Sequence, residues 1–518
     1  MQLQVLDLAD EAATTRLAED LAVVLKPGDV IALQGDLGAG KTTLARAIIR
    51  ALADDPDLEV PSPTFTLAQD YRLARFPVFH FDLYRIGSPR DLIEIGFDDA
   101  IRSGAVLVEW PERAGDELPA DALTLAMSQG AHADTRRVVL VGDPSRWERR
   151  LSRSVAIRAF LDDAGWSNAA RRHLNGDASS RRYERINLGG QTAVLMDHPV
   201  EANDLAGQAR KAARAAAKLA ENTRPFQAFA LALGERGFST PTVFAHDPAA
   251  GFMLLEDLGA DTCVAGQPPA PIPERYATAI ELLAALHAMR LPDTIPDGCG
   301  SNYRLPAYGL DNLVAEVSVA LEWGFPLMLG RPVDGEERAS FLALWRPLFA
   351  EILAGPVTWC LRDYHSPNLM WLGDRQGICR IGLLDFQDTI LGHPAYDVVS
   401  LAEDARVTVA PDLETALIDR YVTARAAAEP GFDAPGFRRA YWILSLQRNT
   451  RLLGTFARLL LRDGKPHYMK HYPRIWDYLD RAFQQDVSRP LKLWYDAHVP
   501  RAFPDRMDTS DRYGIAPD

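Results

Sequence analysis

Cysteine is scarce in this chain of 518 residues: Cys263, Cys299, Cys360 and Cys379 are the whole set, and none forms a C-x-x-C pair. So sparse a set excludes a disulfide-stapled scaffold and a zinc ribbon, and it fits a reducing compartment. A basic excess is lacking too, because 56 Lys and Arg stand against 70 Asp and Glu, a formal net charge of −14. That balance excludes an extended cationic surface able to hold nucleic acid by itself, DNA included. No uninterrupted apolar run approaches bilayer length, and residues 1–10 (MQLQVLDLAD) carry acids where a secretion signal has basic residues. A cytoplasmic protein that does not touch membranes is the expectation.

What is present is a pair of phosphate-handling signatures. Residues 35–42 read GDLGAGKT, which fits G-x-x-x-x-G-K-[ST], the loop whose backbone N–H groups cradle phosphates. Residues 362–368 read RDYHSPN and 384–386 read LDF, which fit the catalytic and metal-binding segments of kinase-like phosphotransferases. Those enzymes use no such glycine loop, so two ATP sites on two folds are implied. The length suits two to four domains.

Over the first 140 or so residues short β-branched runs alternate with amphipathic stretches. The run 28–34 leads into the glycine loop and a helix from 43, and further strands are expected at 78–82, 105–109 and 137–141. The alternation indicates a P-loop NTPase domain with a mainly parallel sheet, over 1–147. The charged stretch 148–155 is expected to be a linker. From 156 to 505 the pattern is that of a bilobal kinase-like α+β domain, with a β-rich lobe over 156–262 and a helical lobe over 263–505. A hairpin is expected at 183–188 and 192–196 around Gly189 and Gly190.

In the first site Gly35, Gly38, Ala39, Gly40 and Thr43 would line the phosphates. Lys41 would reach the β- and γ-phosphates of ATP, and the Thr42 hydroxyl would enter a magnesium shell. Glu109 ends an apolar run, where a strand presents a carboxylate to the metal. Asp82 ends another, and either orients the attacking water or binds the metal through water, or else caps a helix or forms a salt bridge to Arg85. Thr64 and Thr66 are γ-phosphate sensors or turn formers.

The segments 62–66 (SPTFT), 80–85 (HFDLYR) and 108–111 (VEWP), with the P-loop and in that order, resemble the TsaE family, ATPase subunits of the bacterial machinery that makes threonylcarbamoyladenosine in tRNA. The resemblance implies Mg2+-dependent ATPase activity, adenine stacking by Trp110, and association with TsaB and TsaD subunits.

In the second site Asp363 and Asn368 match D-x-x-x-x-N, and Asp385 stands where a DFG aspartate would. Asp363 would direct the acceptor proton, while Asn368 and Asp385 would bind magnesium. Leu361 replaces the usual histidine and Gln387 the DFG glycine; both departures resemble the aminoglycoside-phosphotransferase superfamily. Residues 176–185 (GDASSRRYER), 194–197 (VLMD), 368–370 (NLM) and 447–459 (QRNTRLLGTFARL) further resemble the AmgK family, anomeric N-acetylmuramate and N-acetylglucosamine kinases of peptidoglycan recycling.

On that resemblance Ser179 and Ser180 would cover the ATP phosphates. The strand-borne lysine is replaced by Met196, and Arg181 or Arg182 would supply its charge unless the pair faces solvent. Glu256 to Leu258 would form the adenine hinge. Arg448 and Asn449 would either contact the amino sugar or bridge helices, and Asp397 would brace the catalytic loop. An aminoglycoside, choline or homoserine kinase remains open for this domain, as does a nucleotide-gated regulatory role for the first.

Overall fold

The computed structural model describes residues 1–88, 90–132, 134–174, 181–200 and 204–499. These divide into two units: 1–200 with 243–257, and 201–242 with the chain from 258 onward.

In the first unit the strands are β1 (Gln2–Leu8), β2 (Val30–Gln34), β3 (Ala68–Arg72), β4 (Pro77–Asp82), β5 (Ala105–Glu109), β6 (Leu123–Gln129) and β7 (Arg136–Val141). They form one sheet in the order β1-β7-β6-β2-β5-β4-β3. Its centre, β6-β2-β5-β4, is parallel, and β7, β1 and β3 flank it antiparallel. Val30 through Leu33 and all of β5 are buried, as parallel strands covered on both faces must be.

Helix α1 (Glu11–Val24) starts at Asp10, whose carboxylate accepts the Ala13 N–H at 2.7 Å, and α2 (Lys41–Ala53) starts at the glycine loop. Short helices α3 (Asp91–Glu94) and α4 (Phe97–Ser103) follow β4.

Residues 148–155 are not an extended linker. They lie inside α5 (Pro144–Asp163), a helix capped by Asp143 with proline in its first turn. The charges read as a linker are the grips of that helix. Arg146 and Arg150 ion-pair with the buried Asp29, and Arg153 pairs with Asp197. The second sheet of the unit, in the order β11-β12-β10-β9-β8, comprises β8 (Ala170–Leu174), β9 (Arg182–Leu188), β10 (Gln191–Asp197), β11 (Val243–Asp247) and β12 (Phe252–Glu256). The expected hairpin is β9 and β10, turning at Gly189 and Gly190 with φ of 59° and 90°.

The second unit is mainly helical. Helices α6 (Leu205–Ala216) and α7 (Arg224–Gly234) precede the two-residue strands β13 (Val264–Ala265) and β14 (Ala270–Pro271). Then come α8 (Pro273–Ala288), β15 (Thr294–Pro296), β16 (Asn302–Arg304), α9 (Leu310–Val319), α10 (Phe325–Leu329) and α11 (Gly335–Ala354). Strand β17 (Thr358–Cys360) enters the catalytic segment, followed by β18 (Leu369–Trp371), β19 (Ile381–Leu383) and β20 (Ile390–Gly392). Helices α12 (Ala395–Ala402), α13 (Pro411–Ala428), α14 (Ala434–Leu461), α15 (Tyr472–Ala482) and α16 (Arg489–His498) complete it.

The helical run Leu310–Leu329 is long and apolar enough to cross a membrane, although Asp311, Glu316 and Glu322 interrupt its apolar sequence. Leu313, Val317, Leu321 and Phe325 of that run are instead buried in the core of this unit. Gly454 of α14 allows the approach, because a Cβ there would meet the Val319 carbonyl carbon at 2.3 Å.

Candidate functional site

In the first unit the P-loop joins β2 to α2 at the carboxyl edge of the parallel strands, where open α/β sheets bind ligands. Gly35 has φ +148°, and a Cβ there would lie 2.4 Å from the Met127 carbonyl oxygen, so the loop packs on β6 only with glycine. Gly40, at φ 100°, opens α2 and leaves its first N–H groups facing the loop.

Thr42 Oγ1 donates to Glu109 Oε2 at 2.8 Å, which brings the helix start and the end of β5 together. Asp82, paired in register with Glu109, ends the adjacent strand β4. Its two oxygens accept from Thr64 Oγ1 at 2.7 Å and from the Tyr84 N–H at 3.0 Å. Of its expected roles the salt bridge to Arg85 is not formed; that guanidinium lies over the Phe65 ring, 4.4 Å from its centroid. Thr64 therefore belongs to the carboxylate cluster, whereas Thr66 is exposed outside it.

Lys41 curls onto its own loop, donating to the carbonyl oxygens of Gly35 and Asp36 at 2.7 and 2.9 Å. Its ammonium lies 3.7 Å from the centroid of Trp110, which holds a left-handed backbone at φ 59°. The indole, expected as an adenine platform, is thus placed at the phosphate lysine. Burial lowers the Lys41 pKa against the opposing pull of Glu109 and Asp82.

Two residues went unread in the sequence. His80, fully buried on β4, has Nε2 2.9 Å from Glu109 Oε1, to which it donates because an ionised carboxylate only accepts. Arg136 on β7 donates to the P-loop carbonyl of Ala39 at 3.2 Å. Nothing in its local spacing marks Arg136, and although His80 opens the 80–85 motif its partner is not visible there, because each residue reaches the site across the sheet.

In the second unit the catalytic segment is suspended between carboxylates of one helical region. Asp397, fully buried on α12, accepts the N–H groups of Leu361 and Arg362 at 2.6 and 2.8 Å, the bracing role expected of it. Asp404, unread in the sequence, accepts the Ser366 N–H at 2.8 Å. Asp363 lies between these anchors, after Arg362 at φ 66°. Burial pushes its carboxyl up, but His365, Arg362, Arg451 and Arg448 outweigh burial and hold it below the ordinary range.

The β18–β19 ribbon pairs Leu369 with Leu383, and the Leu384 N–H donates to the Asn368 carbonyl at 2.9 Å. This sets Asn368 beside Asp385, while the Asn368 amide donates to the Asp363 carbonyl oxygen at 2.9 Å. Asp385 sits at φ 55°, and Gln387, in place of the DFG glycine, donates to its Oδ1 at 2.6 Å.

On α14, Asn449 donates to Glu403 Oε2 at 2.5 Å and to the Ser445 carbonyl at 3.0 Å, and it is fully buried. Of its two expected roles the structure supports the helix bridge, because Glu403 occupies its donor. Arg448 faces elsewhere, over the Tyr396 ring at 5.7 Å. In the small sheet Met196 pairs with Met253 and is buried, so it presents no charge. Arg182 is exposed, Arg181 half-buried. Ser179 and Ser180 lie outside the described residues. Glu256 closes β12 at the edge of the first unit, and Leu258 opens the last part of the second.

The donor sets fit magnesium. The ion keeps several waters and takes one or two protein groups beside substrate phosphates. Thr42 with Glu109, and Asn368 with Asp385, are such pairs, and among the described residues no group of three His, Cys, Asp or Glu side chains forms a self-sufficient cage.

A family model described as "Threonylcarbamoyl adenosine biosynthesis protein TsaE" matches residues 8–138, and one described as "Phosphotransferase enzyme family" matches residues 171–435. The N-acetylmuramate/N-acetylglucosamine kinase of Caulobacter vibrioides is 40% identical over 361 residues, which cover 67% of this chain and 97% of that protein. The tRNA threonylcarbamoyladenosine biosynthesis protein TsaE of Rickettsia felis is 44% identical over 105 residues, 20% of this chain and 61% of the relative, so the match spans about three fifths of that protein's length. Its counterpart in Rickettsia typhi is 42% identical over 105 residues, 20% of this chain and 72% of the relative.

Proposed function

Because the chain belongs to the phosphotransferase enzyme family and carries a TsaE-family domain ahead of it, we propose that it is bifunctional: an amino-sugar kinase joined to an ATPase that serves tRNA modification. The kinase assignment rests above all on Asp363, Asn368 and Asp385 being gathered by the β18–β19 ribbon and anchored by Asp397. Kinship with N-acetylmuramate/N-acetylglucosamine kinases supports the anomeric hydroxyl of an N-acetylated amino sugar as acceptor. That hydroxyl is more acidic than an ordinary alcohol, so Asp363 orients it and receives its proton late. The new P–O bond forms at the sugar oxygen as the bond to ADP breaks. Bound magnesium, held by Asn368 and Asp385, would neutralise phosphate charge.

For the first domain, Glu109 held between Thr42 and His80 supports Mg-ATP hydrolysis. Asp82, fixed by Thr64 and Tyr84, would orient the attacking water. Kinship with TsaE proteins supports a partnership with TsaB and TsaD and a cytoplasmic setting.

One observation favours a second reading, in which the P-loop domain regulates the kinase. Asp20 and Glu19 of α1 are paired with Arg158 of α5 and with Arg171 and Arg172 of β8, so the nucleotide-binding sheet and the small kinase sheet share a largely buried ionic seam. Incubating the chain with labelled ATP and a panel of N-acetylated sugars, aminoglycosides and amino alcohols tests the kinase assignment. Transfer to an aminoglycoside with none to the sugars would overturn it.

A further inference from the structure

Helix α14 carries three polar residues into the electrostatic cluster around Glu316 and Asp363: Gln447, Arg448 and Arg451. Glu316 is fully engaged: it pairs with Arg451 at 3.1 Å and Arg362 at 3.5 Å, and accepts from Tyr308 at 2.7 Å and Gln447 at 2.5 Å. His365, Arg362, Arg451 and Arg448 all act on Asp363. Of the three guanidinium groups, Arg362 and Arg451 are paired with Glu316 and Arg448 is not. It is 3% exposed, its Nε and Nη1 are buried with no hydrogen-bond partner, and no carboxylate lies within ion-pair range of it among the described residues.

A buried guanidinium is tolerated where something anionic meets it. Its planar fork matches a carboxylate in two parallel hydrogen bonds, which no ammonium reproduces. Arg448 lies over the ring of Tyr396, next in sequence to the Asp397 that anchors residues 361 and 362, and it acts on the Asp363 carboxyl, so an acceptor whose hydroxyl meets Asp363 brings its other substituents towards this arginine.

We propose that Arg448 forms a carboxylate subsite for the acceptor, so that the kinase selects sugar acids of the N-acetylmuramate kind over neutral amino sugars. The subsite rests on the sugar-kinase reading above. Arg448 takes no part in bond making; it fixes the acid group and thereby the face of the sugar presented to Asp363. Glu316 keeps Arg362 and Arg451 from competing for the same anion.

The test compares kcat/KM of the intact chain for N-acetylmuramate and for its carboxamide analogue, in the wild type and in Arg448→Met and Arg448→Lys. The wild type is expected to favour the acid by about tenfold or more, chiefly through KM. Arg448→Met should bring the ratio near one, and Arg448→Lys should restore part of it. Equal use of acid and amide by the wild type overturns the subsite, and needs no variant to be folded. An unchanged ratio in Arg448→Met, with both rates lowered together, overturns it too and makes Arg448 a positioning residue for Asp363. If the wild type phosphorylates neither compound nor N-acetylglucosamine, the sugar-kinase reading itself falls, and the subsite with it.

Discussion

Gln387 donates its side-chain amide to Asp385 Oδ1 at 2.6 Å, so the residue that replaces the DFG glycine holds in place the aspartate proposed to bind magnesium. The same amide lies 3.3 Å from Asp388 Oδ2. Glycine leaves this turn free to change, whereas a glutamine bonded to both carboxylates fixes one orientation. Partners that orient a metal ligand typically matter by about 10- to 100-fold in metal affinity. Gln387→Leu is therefore expected to raise the magnesium concentration needed for half-maximal sugar phosphorylation by about tenfold or more. A magnesium titration at saturating ATP reads this directly, and an unshifted midpoint would show that Gln387 is a bystander.

Arg171 is buried to 1% exposure and ion-pairs with Asp20 of α1 and Glu184 of β9, both at 2.7 Å. Removing one partner from a buried network leaves charges uncompensated and typically destabilises by about 3–5 kcal/mol. Arg171→Leu should therefore separate the unfolding of the P-loop sheet from that of the β8–β12 sheet. Calorimetry of the whole chain checks this, with one transition for the first unit expected to become two.

Burial pushes the His393 imidazole down to about 4, with His287 adding to the effect. The unfolded chain takes up that proton near pH 6.5, while the folded chain refuses it until about pH 4. Stability from this group is thus complete above pH 6.5 and declines as pH falls towards 4, by roughly 3 kcal/mol at the limit. Denaturant midpoints at pH 7 and pH 4.5 should show that decline, and His393→Asn should make it shallower.

Asp363 behaves oppositely to a buried acid in apolar surroundings. Burial raises it, yet His365, Arg362, Arg451 and Arg448 hold it below the ordinary carboxylate range. Its contribution to stability is complete above the unfolded value near pH 4 and is lost as pH falls from there through the lowered folded value. The acid limb of kcat/KM for the kinase should accordingly lie below about pH 4, outside the usual working range. Arg451→Met removes one opposing cation and should move that limb upward, which a pH–rate profile measures.

Much of this architecture was legible because its signals are local. The P-loop, the end of β5 at Glu109 and the Asp363–Asn368–Asp385 set each combine a strand terminus with a residue type that its chemistry requires. The reading of 148–155 as a linker failed because charge density was taken as exposure. Arg146, Arg150 and Arg153 find buried acids far away in sequence, and α5 is the rigid element that carries them. Arg136, Asp404 and the role of His80 were hidden for a related reason, since their partners come from other strands or helices. Asn449 sits beside Arg448 in sequence, yet one step of about 100° around a helix turns it towards Glu403 instead.

The central claim is that one chain runs two separate ATP chemistries, and paired single replacements test it most directly. Labelled ATP would be followed into sugar phosphate and into free phosphate in the presence of TsaB and TsaD, for the wild type, Glu109→Ala and Asp363→Asn. Glu109→Ala should lower phosphate release by about 100-fold and leave sugar phosphorylation standing, and Asp363→Asn should do the reverse. Loss of both activities from either replacement, or of neither, would contradict two independent centres.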